Sequence, residues 1–72
     1  MHISTIIGKG VLDKNANTVG KVTDFDIDVS SWTINQCIVK SGIIKKSSFG
    51  VDKIEKVGDK VFLRVTREEL EK

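Results

Sequence analysis

The sequence predicts a small all-β domain of about five or six strands, with short helical turns and a short helix at its C-terminal end. Two runs, Thr18 to Val29 and Lys60 to Val65, alternate apolar and polar residues with the period of a strand that has one face buried and one wet. Clusters of Gly, Asn, Asp and Ser separate these runs and read as turns. The helical signals are short and confined to the two ends. At 72 residues, the chain is expected to form one domain, 1–72. Its 39% hydrophobic and 31% charged residues are those of a chain that folds rather than stays disordered.

Met1 to Ile7 is a lead-in, where Ser4 or Thr5 is expected to cap a single helical turn before Gly8. Gly8 to Asp13 is extended, and Asp13, Lys14, Asn15, Ala16 and Asn17 make a turn, since Asx residues bond nearby backbone and tolerate left-handed geometry. A strand follows from Thr18 to Val29. Phe25, Ile27 and Val29 are expected on its buried face, with Asp24, Asp26 and Asp28 on the wet one. Val19 fits the buried parity and Val22 breaks it, which predicts a bulge between Gly20 and Asp24 that bends the strand. Bending of this kind curls a small sheet toward a barrel.

Ser30 and Ser31 turn the chain into a third strand, Trp32 to Lys40. Its apolar residues Ile34, Cys37, Ile38 and Val39 fall on both parities, so it is expected to be covered on both faces. Gly42 ends that strand, Ile43 and Ile44 follow, and the polar stretch Lys45 to Ser48 reads as a turn leading into Phe49, Gly50 and Val51. Asp52 to Ile54 fits one helical turn. Glu55 to Val57 and Lys60 to Val65 form a hairpin around the two-residue loop Gly58 and Asp59, with Val61, Leu63 and Val65 on one face and Phe62 and Arg64 on the other. Thr66 followed by Glu69 has the spacing of a capping box, which predicts a terminal helix from Arg67.

A domain this small commonly needs a staple. The single cysteine, Cys37, cannot close an intrachain disulfide, and one cysteine with one histidine cannot hold structural zinc. Self-association is the staple left. No run is apolar enough to cross a membrane as a helix, and the N-terminus has no signal-peptide pattern, so a cytoplasmic protein without membrane insertion is expected. Twelve Lys and Arg against ten Asp and Glu give a charge of +2, with the signs interspersed. Such a pattern describes a solvated surface, not a polyanion clamp.

The stretch Gly20, Lys21, Val22, Thr23, Asp24, Phe25, Asp26, Ile27, Asp28 resembles the G-K-V-x-D-x-x-x-D signature of PRC-barrel domains. Ile7 to Asp13 is similar to that family's opening L-G-K-x-V-x-D segment. Val51 to Ile54, with Val57, Gly58, Asp59, Lys60 and Val61, is similar to its closing pattern. The motifs run in family order over nearly the whole chain; one departure is Gly50, where many members carry proline. The resemblance implies a small β-barrel of the short, free-standing archaeal type. PRC-barrel domains occur in the H subunit of photosynthetic reaction centres, at the C-terminal end of a bacterial ribosome maturation protein, and in archaeal proteins of which some are linked to cell division. It therefore implies a non-catalytic adaptor or assembly module with no cofactor. Gly8, Gly20, Asp24, Asp28, Gly58 and Asp59 are the positions that carry its motifs.

Nothing in the residues points to catalysis. His2 stands one residue from the chain start with no orienting partner in sequence, and Cys37 has no neighbouring histidine to activate it and reads as core. Asp24, Asp26 and Asp28 mimic the start of a calcium loop, but Val29 stands where the loop needs glycine and Asn35 where it needs glutamate. Asp24 is better suited to bonding backbone N–H groups at the bulge. Neither glycine-rich phosphate-loop motif occurs. Trp32, Phe62 and Ile38 are the candidates for a protein interface, because large apolar groups on a sheet's outer face anchor contacts. For Trp32 and Phe62 the alternative is packing beneath the N-terminal turn or the C-terminal helix. Lys40, Lys45 and Lys46 are the densest basic stretch and the basis for a ribosome- or RNA-associated alternative; few aromatics accompany them, which argues against nucleic acid. The expected partner is a protein, with homodimerisation through an exposed strand edge or the outer face near Phe62, and no small-molecule substrate.

Overall fold

The computed structural model describes residues 1–42 and 45–70; Ile43, Ile44, Glu71 and Lys72 lie outside the described residues. The strands are β1 (Gly10–Leu12), β2 (Thr18–Asp28), β3 (Thr33–Ser41), β4 (Lys45–Gly50), β5 (Ile54–Val57) and β6 (Val61–Leu63). A helical turn α1 (Ile3–Ile6) precedes them, a 3-10 turn (Val51–Lys53) joins β4 to β5, and α2 (Arg67–Leu70) closes the chain. All six strands form one sheet in the order β4-β3-β2-β1-β6-β5, and β1 and β6 are parallel while the other pairs are antiparallel. The fold is a small all-β one. Among the described residues no helix is long and apolar enough to cross a membrane.

The sheet is strongly curled. In a flat sheet β4 and β6 would stand about 19 Å apart, four strand spacings. Yet Phe49 of β4 shares a single core cluster with Val61 and Leu63 of β6, together with Val11, Val19, Val22, Cys37 and Val39. The 3-10 turn links the two outer strands covalently, and Arg64 N–H donates to the Lys53 carbonyl at 2.9 Å, tying that turn to the chain beyond β6. No backbone pairing joins β4 to β5 among the described residues, so the hydrogen-bonded sheet is open where the barrel of the resemblance would close.

Bulges account for the curl and for the sequence's broken alternation. Where β2 meets β3, Val22 pairs with Val39 and Asp24 with Ile38, which leaves Thr23 as the extra residue in the interval where a bulge was expected. Val22 and Phe25, three residues apart, thereby share the inner face. On the β1 side, Val11 pairs with Gly20 and Leu12 with Thr18, which adds a second irregularity at Val19. A Cβ on Gly20 would lie 2.6 Å from the Lys40 carbonyl oxygen, an atom of the β3 backbone that cannot swing away. Gly20→Ala is expected to destabilise the fold by about 1–3 kcal/mol, read from the shift in the urea unfolding midpoint.

Several expectations are corrected. The N-cap of α1 is His2, without a side-chain capping bond, so neither Ser4 nor Thr5 caps that turn. Lys45 to Ser48 is not a turn but most of edge strand β4, whose single buried side chain is Phe49. Lysines and serines on a strand with one unpaired edge discourage edge-to-edge association. The hairpin loop between β5 and β6 has three residues, 58–60, because Val57 pairs with Val61 and Gly58 N–H donates to the Lys60 carbonyl at 2.9 Å. β3 is covered on one face only. Asp26 pairs with Gln36 and Ile27 with Ile34, so Asn35 is bulged out and Ile34 rejoins the parity of Cys37 and Val39. Ile38 alone among these apolar residues remains on the outer face.

The closing helix is built as its spacing foretells. Thr66 N–H and hydroxyl meet Glu69 Oε1 at 3.1 and 3.0 Å, while Glu69 N–H reaches back to Thr66 Oγ1 at 3.1 Å. A helix of four residues would not survive alone. Asp13, 1% exposed, holds it in place. One carboxylate oxygen accepts the N–H groups of Asn15 and Asn17 at 2.9 and 2.8 Å, and the other accepts the N–H of Arg67 at 2.8 Å. A single side chain thus shapes the β1–β2 turn and caps the start of α2.

Candidate functional site

The longest pairing in the molecule is the β2–β3 hairpin, and its far end extends beyond the core. β1 pairs with β2 only over residues 18–21, and β4 pairs with β3 only over residues 36–41. The hairpin from Ile27 to Ile34 is therefore a two-stranded ribbon with no third strand. Phe25 still packs against the core, but Ile27 and Val29 on the same parity do not reach it: they are 42% and 68% exposed, a correction to the buried face expected of them. Ile34 faces Ile27 across the ribbon and is 36% exposed.

The turn at the tip is held by side-chain hydrogen bonds. Asp28 Oδ1 accepts the Ser30 N–H at 3.0 Å and its hydroxyl at 2.7 Å, and these bonds from Ser30 hold the Asp28 carboxyl below its ordinary value. Ser31 and Thr33 hydroxyls bond each other at 2.7 Å. Trp32 belongs to this turn rather than to β3, with φ +54° in the left-handed region and 79% of its surface exposed. It packs under neither the N-terminal turn nor the C-terminal helix. Left-handed geometry costs a bulky side chain about 1–2 kcal/mol, and glycine or asparagine would avoid most of it. Val29, Trp32, Ile27 and Ile34 thus leave an exposed apolar tip beyond the core.

The other candidates are dispersed. Phe62 is half-buried on the outer face beside Leu12, and the Lys56 ammonium stands 5.2 Å from its ring centroid, a cation–π contact. Ile38 is half-buried on the outer face of β3 between Asp24 and Ser48. Asp24 accepts the Phe25 N–H at 2.8 Å beside the Thr23 bulge, the structural use anticipated for it. Gly8 takes φ +92°, and its N–H bonds the Val22 carbonyl at 2.8 Å. Gly58 accepts the Lys9 ammonium on its carbonyl, and Asp59 is exposed in the same loop. Lys40 and Lys46 face each other across β3 and β4, with Lys45 opposite Ser41.

Cys37 is fully buried, and burial pushes its thiol up to about 11 from an ordinary value of 9.0. At neutral pH its thiolate fraction is then about a hundredfold below that of a free thiol. Native protein is expected to react with a chromogenic disulfide reagent at least about a hundredfold more slowly than protein in denaturant; equal rates would place the thiol outside the core.

No protein-family model matches the chain, and no curated protein is similar to it. Sequence reasoning singled out Trp32 but missed Ile27, Val29 and Ile34 as its exposed companions. The signal that could have found them is length: a strand pair longer than its flanking strands must run out of cover.

Proposed function

We propose that this chain is a non-catalytic, cytoplasmic protein-binding module of the PRC-barrel type, an adaptor or scaffold that self-associates as a homodimer through the β2–β3 tip. The observation that carries the reading is Trp32, a large aromatic group 79% exposed, in a left-handed backbone conformation, in the turn that joins the strands carrying the exposed Ile27, Val29 and Ile34. Exposed aromatics of this kind supply much of the energy of protein contacts. The ribbon fits a two-fold arrangement in which each tip covers the other, because a self-complementary patch needs no second surface. The order of the glycine and aspartate motifs along β1, β2 and the β5–β6 hairpin supports the family. Cys37 buried in the core and His2 exposed ahead of α1 support binding over catalysis.

Sedimentation equilibrium over a concentration series tests the reading. A monomer–dimer equilibrium that disappears in Trp32→Gly is expected. A wild-type chain that stays monomeric at millimolar concentration removes the homodimer, and capture from native cells that is equal for wild type and Trp32→Gly removes the tip as a contact for any other protein.

A further inference from the structure

The strand register assembles a charged feature that the sequence disperses. Gly10 of β1 pairs with Lys21 of β2, Lys21 with Lys40 of β3, and Lys40 with Lys46 of β4. Directly paired residues project from the same face, so three lysines stand side by side on the outer face of three adjacent strands. The row continues beyond β2 because Gly10 has no side chain. A Cβ there would lie 3.3 Å from the Lys60 ammonium, which reaches over β1 from the 58–60 loop. Lys60, Lys21, Lys40 and Lys46 thus form a track about 14 Å long, three strand spacings.

Like charges directly opposite one another in a sheet are destabilising. Here the cost is not relieved: none of the four lysines has a carboxylate within ion-pair distance among the described residues, although Asp59 shares the loop with Lys60 and Asp26 lies further along β2. Lys21, Lys40 and Lys60 line a cleft of about 460 Å³ with Thr18, Ser41 and Gly42, and Lys46 continues beside Ser47 and Ser48 into a neighbouring groove whose far side carries Gln36 and the Asp26 carboxylate. Thr18 in the cleft and Ser48 in the groove share the lysines' face and add neutral donors of the kind that bind phosphate oxygens.

We infer that this track is a binding site for the phosphate backbone of a single nucleic-acid strand, held without regard to base. A linear array of unpaired cations matches a linear array of phosphates. No aromatic side chain lines the cleft or the groove, so the stacking that reads or grips bases is missing from the site. An anionic bilayer is the poorer match: the most exposed apolar residues of the β2–β3 hairpin, Trp32 and Val29, lie at its opposite end, more than six residues along each strand. The site differs from the Lys45 and Lys46 stretch that the sequence offers, because it draws on four separate segments.

The test is fluorescence anisotropy of a labelled oligouridine strand, titrated with the full chain over a range of salt concentrations. Wild type is expected to bind at low salt, with log K falling against log [salt] at a slope of about −2 to −3, for three or four phosphates neutralised. Lys21→Gln with Lys40→Gln is expected to weaken binding about tenfold or more and flatten the slope by about 1.4. The pair Lys14→Gln and Lys53→Gln removes the same charge elsewhere and should change affinity less than about threefold. Melting supplies a second readout: relief of like-charge repulsion should leave the Lys21, Lys40 variant as stable as wild type or raise its midpoint by about 1–4 °C. Absence of binding at low salt, equal loss in both variant pairs, a lowered midpoint, or binding to phosphatidylserine vesicles but not to oligouridine each overturns the proposal.

Discussion

Trp32→Gly is expected to weaken self-association about thirtyfold or more while leaving the melting temperature unchanged or slightly raised. The two halves of that result have separate causes. At 79% exposure the indole buries little in the monomer, so its removal forfeits little packing. Its φ of +54° is one that glycine adopts freely, which relieves about 1–2 kcal/mol of strain against the greater freedom glycine gains in the unfolded chain. In the associated state the same ring would be desolvated at the centre of the contact, where truncation of an aromatic anchor commonly costs about 2 kcal/mol or more. Thermal melts and sedimentation on one preparation separate the roles. A variant that melts many degrees lower yet associates normally would make Trp32 a structural residue and remove it from the interface. Ile27→Ser with Ile34→Ser should weaken association in the same direction, since the pair faces across the ribbon that carries the tip.

Asp13→Ala is expected to have the largest effect on stability, lowering the melting temperature by about 15 °C or more. The loss falls on three donors at once, the N–H groups of Asn15, Asn17 and Arg67. The Asn17 side-chain amide also lies 3.5 Å from the second carboxylate oxygen. Asp13→Asn should be intermediate, because its amide presents a donor where one of those N–H groups needs an acceptor. Burial alone would raise the Asp13 carboxyl, but the hydrogen bonds from Arg67, Asn17 and Asn15 outweigh it and hold the folded value below 3.8. A depressed carboxyl contributes stability that is present in full above its unfolded value and is lost as the pH falls through the folded one. Wild type should therefore lose thermal stability on acidification through about pH 4. In Asp13→Asn that loss should be smaller but not absent, since Asp28 is depressed as well. An undiminished acid loss in Asp13→Asn would show that the charge of Asp13 plays no part.

What the sequence revealed and what it hid divides by range. The capping box at Thr66 and Glu69, the Asp13 to Asn17 turn and the bulge near Thr23 are local patterns, each readable from a few neighbouring residues. The bulge at Asn35 was not readable, because the polar residues around it fit either parity; missing it made β3 seem covered on both faces. Lys45 to Ser48 carries the composition of a turn, and only its place at the sheet's edge explains why such residues serve as a strand. The tip and the lysine track depend on which strand lies beside which. Lys21, Lys40, Lys46 and Lys60 belong to four segments, and no spacing rule joins them until the pairings of β2 with β3, β3 with β4 and β1 with β2 are known. The arm of Asp13 that reaches Arg67 is hidden for the same reason.

The parallel pairing of Val11 with Val61 and Leu12 with Phe62 sets the order in which this chain can fold. β2, β3 and β4 meet through short reversals and can zip from their turns within microseconds, as hairpins do. β1 finds β6 only by closing a loop of about fifty residues, an entropic toll that grows with the logarithm of length and must be met before the contact returns anything. The barrier should therefore lie at that closure, with the β2–β3–β4 meander already formed and β1, β6 and the Asp13 bond to Arg67 arriving afterwards. In stopped-flow refolding, substitutions at Val39 should slow folding, whereas those at Val61 should mainly quicken unfolding. A ribosome releasing this chain would hold a finished meander in waiting until β6 emerged.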